Sequence, residues 1–295
     1  MRGRGADRRV RTHGASARRT PRAGGAGATV VASVAAIACV TVIAMAALAN
    51  RRRGTEAEST AAARHAAAAT VQDPVPYDGR FTFARIRYTP AARGFRGFGW
   101  GRSGREPPWA HDYPRAERNL MTILDEITAI EPYRDGGAIV DADDPALFRY
   151  PVAYLSEAGY WEPSDAEVEA LRAYLRKGGF LIFDDFGGRD WFSFEAAMRR
   201  VLPGLEIVRL DASHPIFHAF FDIESLDIVH GYRGRPVFLG IFEDNDPEKR
   251  LLAIINYNTD IGDYWEWSDT GFLPIDLSNE AYKLGVNYIV YALTH

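Results

Sequence analysis

Hydrophobic positions follow three patterns along this chain. One uninterrupted apolar run occupies residues 28–49, short apolar runs recur after residue 80, and helical spacing appears between those short runs. Short strands that alternate with amphipathic helices predict an α/β domain over residues 80–295, with a mostly parallel sheet and helices on both faces. One amphipathic face, spaced by three and four residues, comprises Leu120, Ile123, Leu124 and Ile127.

Two elements of this domain have clear local signals. Glu167 follows Ser164 by three residues, which forms a capping box and starts a helix that ends at Gly178 and Gly179. The next run, residues 180–183, is apolar throughout, as expected of a central parallel strand. Further strands are predicted at residues 81–88, 138–140, 152–155, 206–210, 237–242 and 251–256, and further helices near residues 114–130, 194–202 and 278–293.

The apolar run at residues 28–49 predicts one transmembrane helix or signal anchor. It is 22 residues long and carries no charge, and about 20 helical residues span a bilayer. Residues 1–27 hold eight Arg, which predicts a basic cytoplasmic leader and a single-pass protein with its domain outside the cytoplasm. The alternative is secretion after signal cleavage, because residues 47–49 read Ala-Leu-Ala.

Net charge and cysteine content exclude some classes of function for the part of the chain that follows the apolar run. Residues 50–79 are an Ala-rich segment without sustained periodicity, which predicts a flexible linker. Residues 54–295 contain 24 basic and 38 acidic side chains, a net charge of −14, which argues against nucleic acid as a partner. The only cysteine, Cys39, lies in the apolar run, so the domain has no thiol nucleophile and no disulfide.

Five segments of the domain resemble a bacterial family known as domain of unknown function 4159. They are residues 148–157 (FRYPVAYLSE), 178–186 (GGFLIFDDF), 214–217 (HPIF), 258–267 (NTDIGDYWEW) and 285–293 (GVNYIVYAL). The resemblance covers residues 80–295 and implies a class I glutamine-amidotransferase-like fold, which is a flavodoxin-like sheet. Relatives in this family often follow membrane segments, which agrees with a domain in the cell envelope.

The resemblance also implies where a functional site would lie. Amidotransferases of this fold place a cysteine on a sharp turn after a central strand, whereas this chain has Asp184 and Asp185 there. Glutamine hydrolysis by a thiolate is therefore excluded. Asp185 is the strongest candidate for a functional residue, because ligands of open α/β sheets bind at the carboxyl ends of the strands.

Other polar side chains are expected at the same edge of the sheet. Glu157 ends a neighbouring strand and Trp161 follows it, while His214 follows the strand at residues 206–210. We therefore predict Asp185, His214 and Glu157 as catalytic candidates. A ligand-binding role is predicted for Asp184, Trp161, Asn258, Asp260, Asp263, Trp265, Glu266 and Trp267. The alternative for each is structural: the carboxylates cap turns, His214 bonds a loop, and the two Trp near Glu266 pack a long loop.

These residues allow several chemistries. Clustered carboxylates bind divalent cations such as calcium or magnesium, although their spacing is not that of an EF-hand. Tryptophans beside carboxylates are typical of carbohydrate-binding surfaces. The first hypothesis is a non-catalytic module that binds a small polar or carbohydrate ligand or an envelope protein partner. The alternatives are a hydrolase that uses a carboxylate and His214, with or without a divalent cation, and a purely structural envelope component.

Overall fold

The computed structural model describes residues 78–91, 107–227, 230–232 and 234–295. The predicted leader, membrane helix and nearly all of the linker, residues 1–77, lie outside these ranges. Among the described residues, no helix has both the length and the apolar character needed to cross a membrane. The predicted membrane anchor therefore stays a prediction.

The described residues form an α/β domain built on one seven-stranded sheet. Its strands are β1 (Ala84–Arg87), β2 (Ala138–Asp141), β3 (Val152–Leu155), β4 (Phe180–Phe186), β5 (Val208–Arg209), β6 (Val237–Phe242) and β7 (Leu251–Tyr257). Their order across the sheet is β2-β1-β3-β4-β7-β6-β5. The first five in this order pair in parallel, and β6 is antiparallel to both β7 and β5. The prediction of a mostly parallel sheet is confirmed.

Helices cover both faces of this sheet, as predicted. They are α1 (Arg115–Ile127), α2 (Asp165–Arg176), α3 (Asp190–Val201), α4 (Ile261–Glu266) and α5 (Ile275–Thr294). One apolar core joins α2 and α3 to one face of β4 through Leu181 and Phe183, and the other joins α1, α4 and α5 to the opposite face through Ile182. A strand buried on both faces reads as an unbroken apolar run, and residues 180–183 do so.

A side-chain cap marks the start of α2 but not that of the last helix. The Ser164 hydroxyl accepts a hydrogen bond from Glu167 N, and the Glu167 carboxylate accepts one from Ser164 N, so the capping box at α2 is confirmed. The last helix begins at Ile275 after Pro274, one turn before the predicted start at Ser278. Ser278 is instead buried inside α5, so Pro274 marked this start better than the serine did.

Two segments differ from the predicted pattern of parallel strands and loops. Strand β6, whose direction was not predicted, returns antiparallel beside β7, because the connection at residues 243–250 is too short for a parallel crossover. Residues 261–266 were expected to form part of a long polar loop but form the short helix α4. Asp260 starts this helix by accepting a hydrogen bond from Asp263 N.

Candidate functional site

Asp185 lies at a sharp bend near the end of the central strand β4. Its backbone φ is +60°, and the pairing of β4 with β7 shifts register between Phe183 and Phe186. Only 4% of Asp185 is exposed. Left-handed backbone is unfavourable for residues with a β-carbon, and such strain concentrates at functional sites. The strand therefore turns its carboxylate sharply out of the sheet, into the loops at its carboxyl edge.

Three more residues with left-handed backbone lie at the same edge. Asp112, Glu157 and Asn258 have φ values of 67°, 52° and 65°. They follow β1, β3 and β7 respectively, and Asn258 N donates a 2.8 Å hydrogen bond to Phe186 O. Four strained non-glycine residues on four separate connections are concentrated here, and none of the four is exposed. This concentration marks the carboxyl edge as the candidate site.

The Asp185 carboxylate is held by side chains from three other segments. His111 Nδ1 lies 2.9 Å from Asp185 Oδ2, and Ser156 Oγ lies 3.5 Å from the same oxygen. Tyr232 donates a short hydrogen bond from its hydroxyl to Oδ1. These contacts fix the carboxylate in one orientation. His111 and Tyr232 both contribute to this arrangement although the sequence analysis selected neither of them.

A buried arginine positions the segment that carries His111. Arg85 Nη1 donates hydrogen bonds to the backbone oxygens of Trp109, at 3.1 Å, and His111, at 2.6 Å. Its Nε pairs with Glu117 of α1 in a short contact, and both side chains are 1% exposed. The guanidinium also lies over the Tyr154 ring, 4.8 Å from its centroid. The orientation of His111 therefore depends on an ion pair beneath the site.

His111 carries a positive charge at neutral pH. Burial by itself lowers the pKa of this imidazole, but the carboxylates of Asp112 and Asp185 outweigh that effect and raise the pKa to about 11. The His111 side chain is 42% exposed, so it connects the site to solvent. A histidine that stays protonated cannot accept a proton as a general base.

Four aspartates surround His111 and form what we call the acidic cluster: Asp112, Asp185, Asp260 and Asp263. Burial, with the neighbouring carboxylates, raises the pKa of Asp112, Asp260 and Asp263. One potential ligand atom from each of His111, Asp112, Asp185 and Asp260 lies within 4.8 Å of the others. A second such group joins Asp112 to Asp263 and Glu266. The cluster therefore has the composition of a cation site.

Glu157 borders the acidic cluster from the β3 side. It is 7% exposed, and burial together with the Asp185 charge raises the pKa of its carboxyl to about 10. Tyr88 holds its backbone by donating a 2.9 Å hydrogen bond to Glu157 O. At neutral pH this carboxyl keeps its proton, so it can donate a hydrogen bond to an acceptor in the site.

Glycine at position 262 allows α4 to approach the cluster. A β-carbon there would lie 2.5 Å from Asp112 Oδ2 and 2.8 Å from the Tyr154 hydroxyl, both closer than van der Waals contact. The segment after β7 can therefore bring Asp260 and Asp263 to the cluster only with glycine at this position.

Asp184 faces the opposite side of β4 and is fully buried. Its Oδ2 accepts hydrogen bonds from the Tyr154 hydroxyl at 2.7 Å, Ile261 N at 3.0 Å and Gly262 N at 3.1 Å. Burial raises the pKa of this carboxyl to about 7. These contacts join β4 to the start of α4, so Asp184 supports the site from within the core and does not line it.

Comparison with known proteins assigns the chain to a family. The family model described as Domain of unknown function (DUF4159) matches residues 82–293. The chain belongs to the DUF4159 family. No curated protein matches it. The resemblance stated from the five sequence segments is thus confirmed as a family assignment, and the four loops of the site all lie inside the matched region of this DUF4159 domain.

His214 does not join the other candidates in this DUF4159 domain. Its ring packs 5.5 Å from the Phe242 ring and 5.9 Å from the Tyr291 ring, measured between centroids. Phe242 pairs with Leu251, the first residue of β7, so His214 lies toward the amino edge of the parallel strands. Burial lowers the pKa of His214. The prediction that it converges with Asp185 is wrong, because the chain turns back after β5.

Two of the three candidate tryptophans in the DUF4159 domain belong to the core. Trp161 is 2% exposed and packs on Phe183, and Trp265 is 1% exposed and donates from Nε1 to Ala281 O. Both rings are therefore covered by protein, and Trp265 does not form an exposed pair with Trp267 beside Glu266. Trp267 is partly exposed but lies under the Arg115 guanidinium, 5.4 Å from its ring centroid.

No sequence motif pointed to the residues contributed by the β1 loop. His111 and Asp112 end the long connection that leaves the carboxyl end of β1, next to β3 in the sheet. The chain moves out to β2 and then back past β1 to β3, so β1 and β3 flank the point where the strand order reverses. Such points hold the ligand crevice in doubly wound sheets. The strand order was the signal that could have selected His111.

Proposed function

We propose that this protein is a binding module whose ligand-binding site is the acidic cluster with His111. The observation that supports it best is the convergence of four strained loops on carboxylates that lack enough counter-charge. Four aspartates face a single protonated His111, while Arg85 is already paired with Glu117. Such a site favours a ligand that carries positive charge.

Binding is favoured over hydrolysis by the state of the two central groups. A general base needs a free lone pair and a pKa near the working pH. His111 is protonated, and Asp185 already accepts hydrogen bonds from Tyr232 and interacts with His111 and Ser156. Neither group is available for proton abstraction while the site is arranged in this way.

The proposal predicts that Asp185→Asn abolishes ligand-induced stabilisation. Asparagine keeps the shape and tolerates left-handed backbone, so the fold is retained while the charge is lost. Full-length protein in mild detergent should be melted with manganese chloride or with spermidine. At least one should raise the melting temperature of the wild type and leave that of Asp185→Asn unchanged.

Asp244→Asn is the matched control, because Asp244 is an aspartate with φ +56° in the exposed turn between β6 and β7. It should respond like the wild type. If no probe stabilises the wild type, or if Asp185→Asn responds equally, the proposed binding function is wrong.

A hydrolase is the second candidate, and the 2.9 Å contact between His111 and Asp185 favours it. This pairing of an imidazole with a carboxylate is the kind that orients a catalytic histidine. A screen with chromogenic esters and phosphate esters tests it directly. Turnover by the wild type that disappears in both Asp185→Asn and His111→Gln would support catalysis over simple binding.

We also propose that the sheet is a flavodoxin-like, class I glutamine-amidotransferase-like fold without its cysteine. The order β2-β1-β3-β4 followed by a further parallel strand is the flavodoxin-like order, which supports this. Asp185, with its φ of +60°, stands where the resembling enzymes place their nucleophile on a sharp turn. The site is then the one that those enzymes use, with a different chemistry.

The last part of the proposal is location in the cell envelope, with residues 28–49 as the anchor and the domain outside the cytoplasm. The basic leader and uncharged run support it. Alkaline phosphatase fused after His295 should be active, and green fluorescent protein at the same place should not fluoresce. The opposite pair of results would contradict the topology, and recovery of a shortened soluble chain from the medium would favour signal cleavage.

A further inference from the structure

We infer that the ligand of the acidic cluster is a divalent cation held by Asp112, Asp185, Asp260 and His111. This inference rests on the proposed binding function and names its ligand class. The four side chains come from the β1 loop, the end of β4 and the start of α4, and one potential ligand atom of each lies within 4.8 Å of the others. A single ion can contact atoms placed at this separation.

Asp112 is the observation that distinguishes this group from an ordinary acidic surface. Its carboxylate is fully buried, and neither oxygen accepts a hydrogen bond from any described residue, although Oδ1 lies 3.2 Å from His111 Nδ1. A buried carboxylate without hydrogen bonds is unfavourable, and most buried polar groups in proteins are paired. Its oxygens belong to both candidate ligand groups, so they point into the cluster. A cation would supply the missing interaction.

The backbone geometry supports the same assignment. Asp112 and Asp185 both adopt left-handed conformations, with φ values of 67° and 60°. Gly262 lies so close to Asp112 that a β-carbon at position 262 would be only 2.5 Å from Asp112 Oδ2. Two strained residues and the close contact between Gly262 and Asp112 therefore accompany the gathering of negative groups at this point. Without a positive ligand, these features oppose folding.

The donor set indicates which cation fits best. Three carboxylates suit magnesium, calcium and manganese, whereas an imidazole nitrogen suits transition metals once the ion has displaced the proton that His111 carries without a metal. Manganese(II) accepts both kinds of donor. We therefore expect Mn²⁺ to bind more tightly than Mg²⁺ or Ca²⁺, with one ion for each chain.

The test is a calorimetric titration of MnCl₂ into full-length, EDTA-stripped protein in mild detergent, followed by MgCl₂ and CaCl₂. Asp112→Asn should weaken Mn²⁺ binding by at least about tenfold, because even changes outside the direct ligands cost about 10–100-fold. Asp244→Asn, which alters an exposed aspartate with the same backbone conformation, should bind like the wild type. His111→Gln should weaken Mn²⁺ more than Ca²⁺, since only the nitrogen donor is lost.

Melting curves in EDTA check that each variant folds. If Asp112→Asn does not fold, the binding of Mn²⁺ and Ca²⁺ by His111→Gln becomes the test. The inference is overturned if the wild type binds none of the three ions, or if Asp112→Asn binds Mn²⁺ as tightly as Asp244→Asn does. Spermidine separates the two proposals. If it stabilises the wild type but not Asp185→Asn while no metal binds, the binding site stands and the cation assignment falls. If neither binds, both fall.

Discussion

Replacing Arg85 with methionine should lower the free energy of unfolding by about 3–5 kcal/mol, the usual cost of removing one partner of a buried ion pair. Arg85 and Glu117 are each 1% exposed, and Glu117 Oε2 already lacks a hydrogen bond. Without the guanidinium, the Glu117 carboxylate is buried without a counter-charge. Urea denaturation followed by circular dichroism measures the loss.

Strand β1 provides a matched control two residues further on. Arg87 pairs with Asp141, but the two side chains are 30% and 43% exposed. Because water screens such pairs, Arg87→Met should change stability by only roughly 0–1 kcal/mol. Combining Arg85→Met with Glu117→Met should restore much of the loss, since no buried charge then remains. Equal losses for the Arg85 and Arg87 variants would contradict the account.

The Arg85 variant should also affect the site. The guanidinium donates to the backbone oxygens of Trp109 and His111, so its loss releases the segment that positions His111 against Asp185. Binding at the acidic cluster should therefore weaken even at temperatures where the variant stays folded. Arg87→Met should bind normally, which separates a positioning role from a general loss of stability.

The sequence predicted those parts of the fold that depend on local signals. The capping box at Ser164 and Glu167 and the apolar run at residues 180–183 involve neighbours in the chain, so they could be recognised directly. The direction of β6 and the short helix α4 were not predicted, although the short connection at residues 243–250 and the cap at Asp260 are local signals for them. The predicted membrane helix at residues 28–49 has an equally local signal but lies outside the described residues.

The candidate site was predicted in part for the same reason. Asp185 could be selected because it directly follows a recognisable central strand. His214 was selected on the assumption that five residues after β5 stay at the carboxyl edge, but the chain turns back and packs the ring on Phe242. His111 was missed because its contact with Asp185 joins residues 74 positions apart in sequence. Only the strand order, which places β1 beside β3, brings them together.

The stability of the metal-free protein should fall as pH rises from about 5 to about 6.5. Burial raises the pKa of Glu157 from 4.5 to about 10 and that of Asp184 from 3.8 to about 7. Over this range the folded protein therefore holds protons that the unfolded chain has released. Each such group lowers the unfolding free energy by up to about 1.4 kcal/mol per pH unit. The contribution is present at acid pH and is lost toward the folded-state pKa.

Glu157→Gln isolates one of the two carboxyls, because glutamine keeps the shape of the protonated acid and cannot ionise. Urea denaturation in EDTA at both pH values should give a shallower fall for this variant than for the wild type, with the two proteins closest in stability at the lower pH. Glu248→Gln, in the exposed turn before β7, should keep the wild-type slope. The measurement stops at about pH 6.5, the ordinary pKa of histidine. Above that pH, His111 also lowers the stability as pH rises, because its pKa in the folded protein is raised to about 11. Two results would contradict this account: a wild-type stability that rises over this interval, or a slope for Glu157→Gln as steep as that for Glu248→Gln. Either would show that Glu157 is ionised in the folded protein and that the cluster already contains its counter-charge.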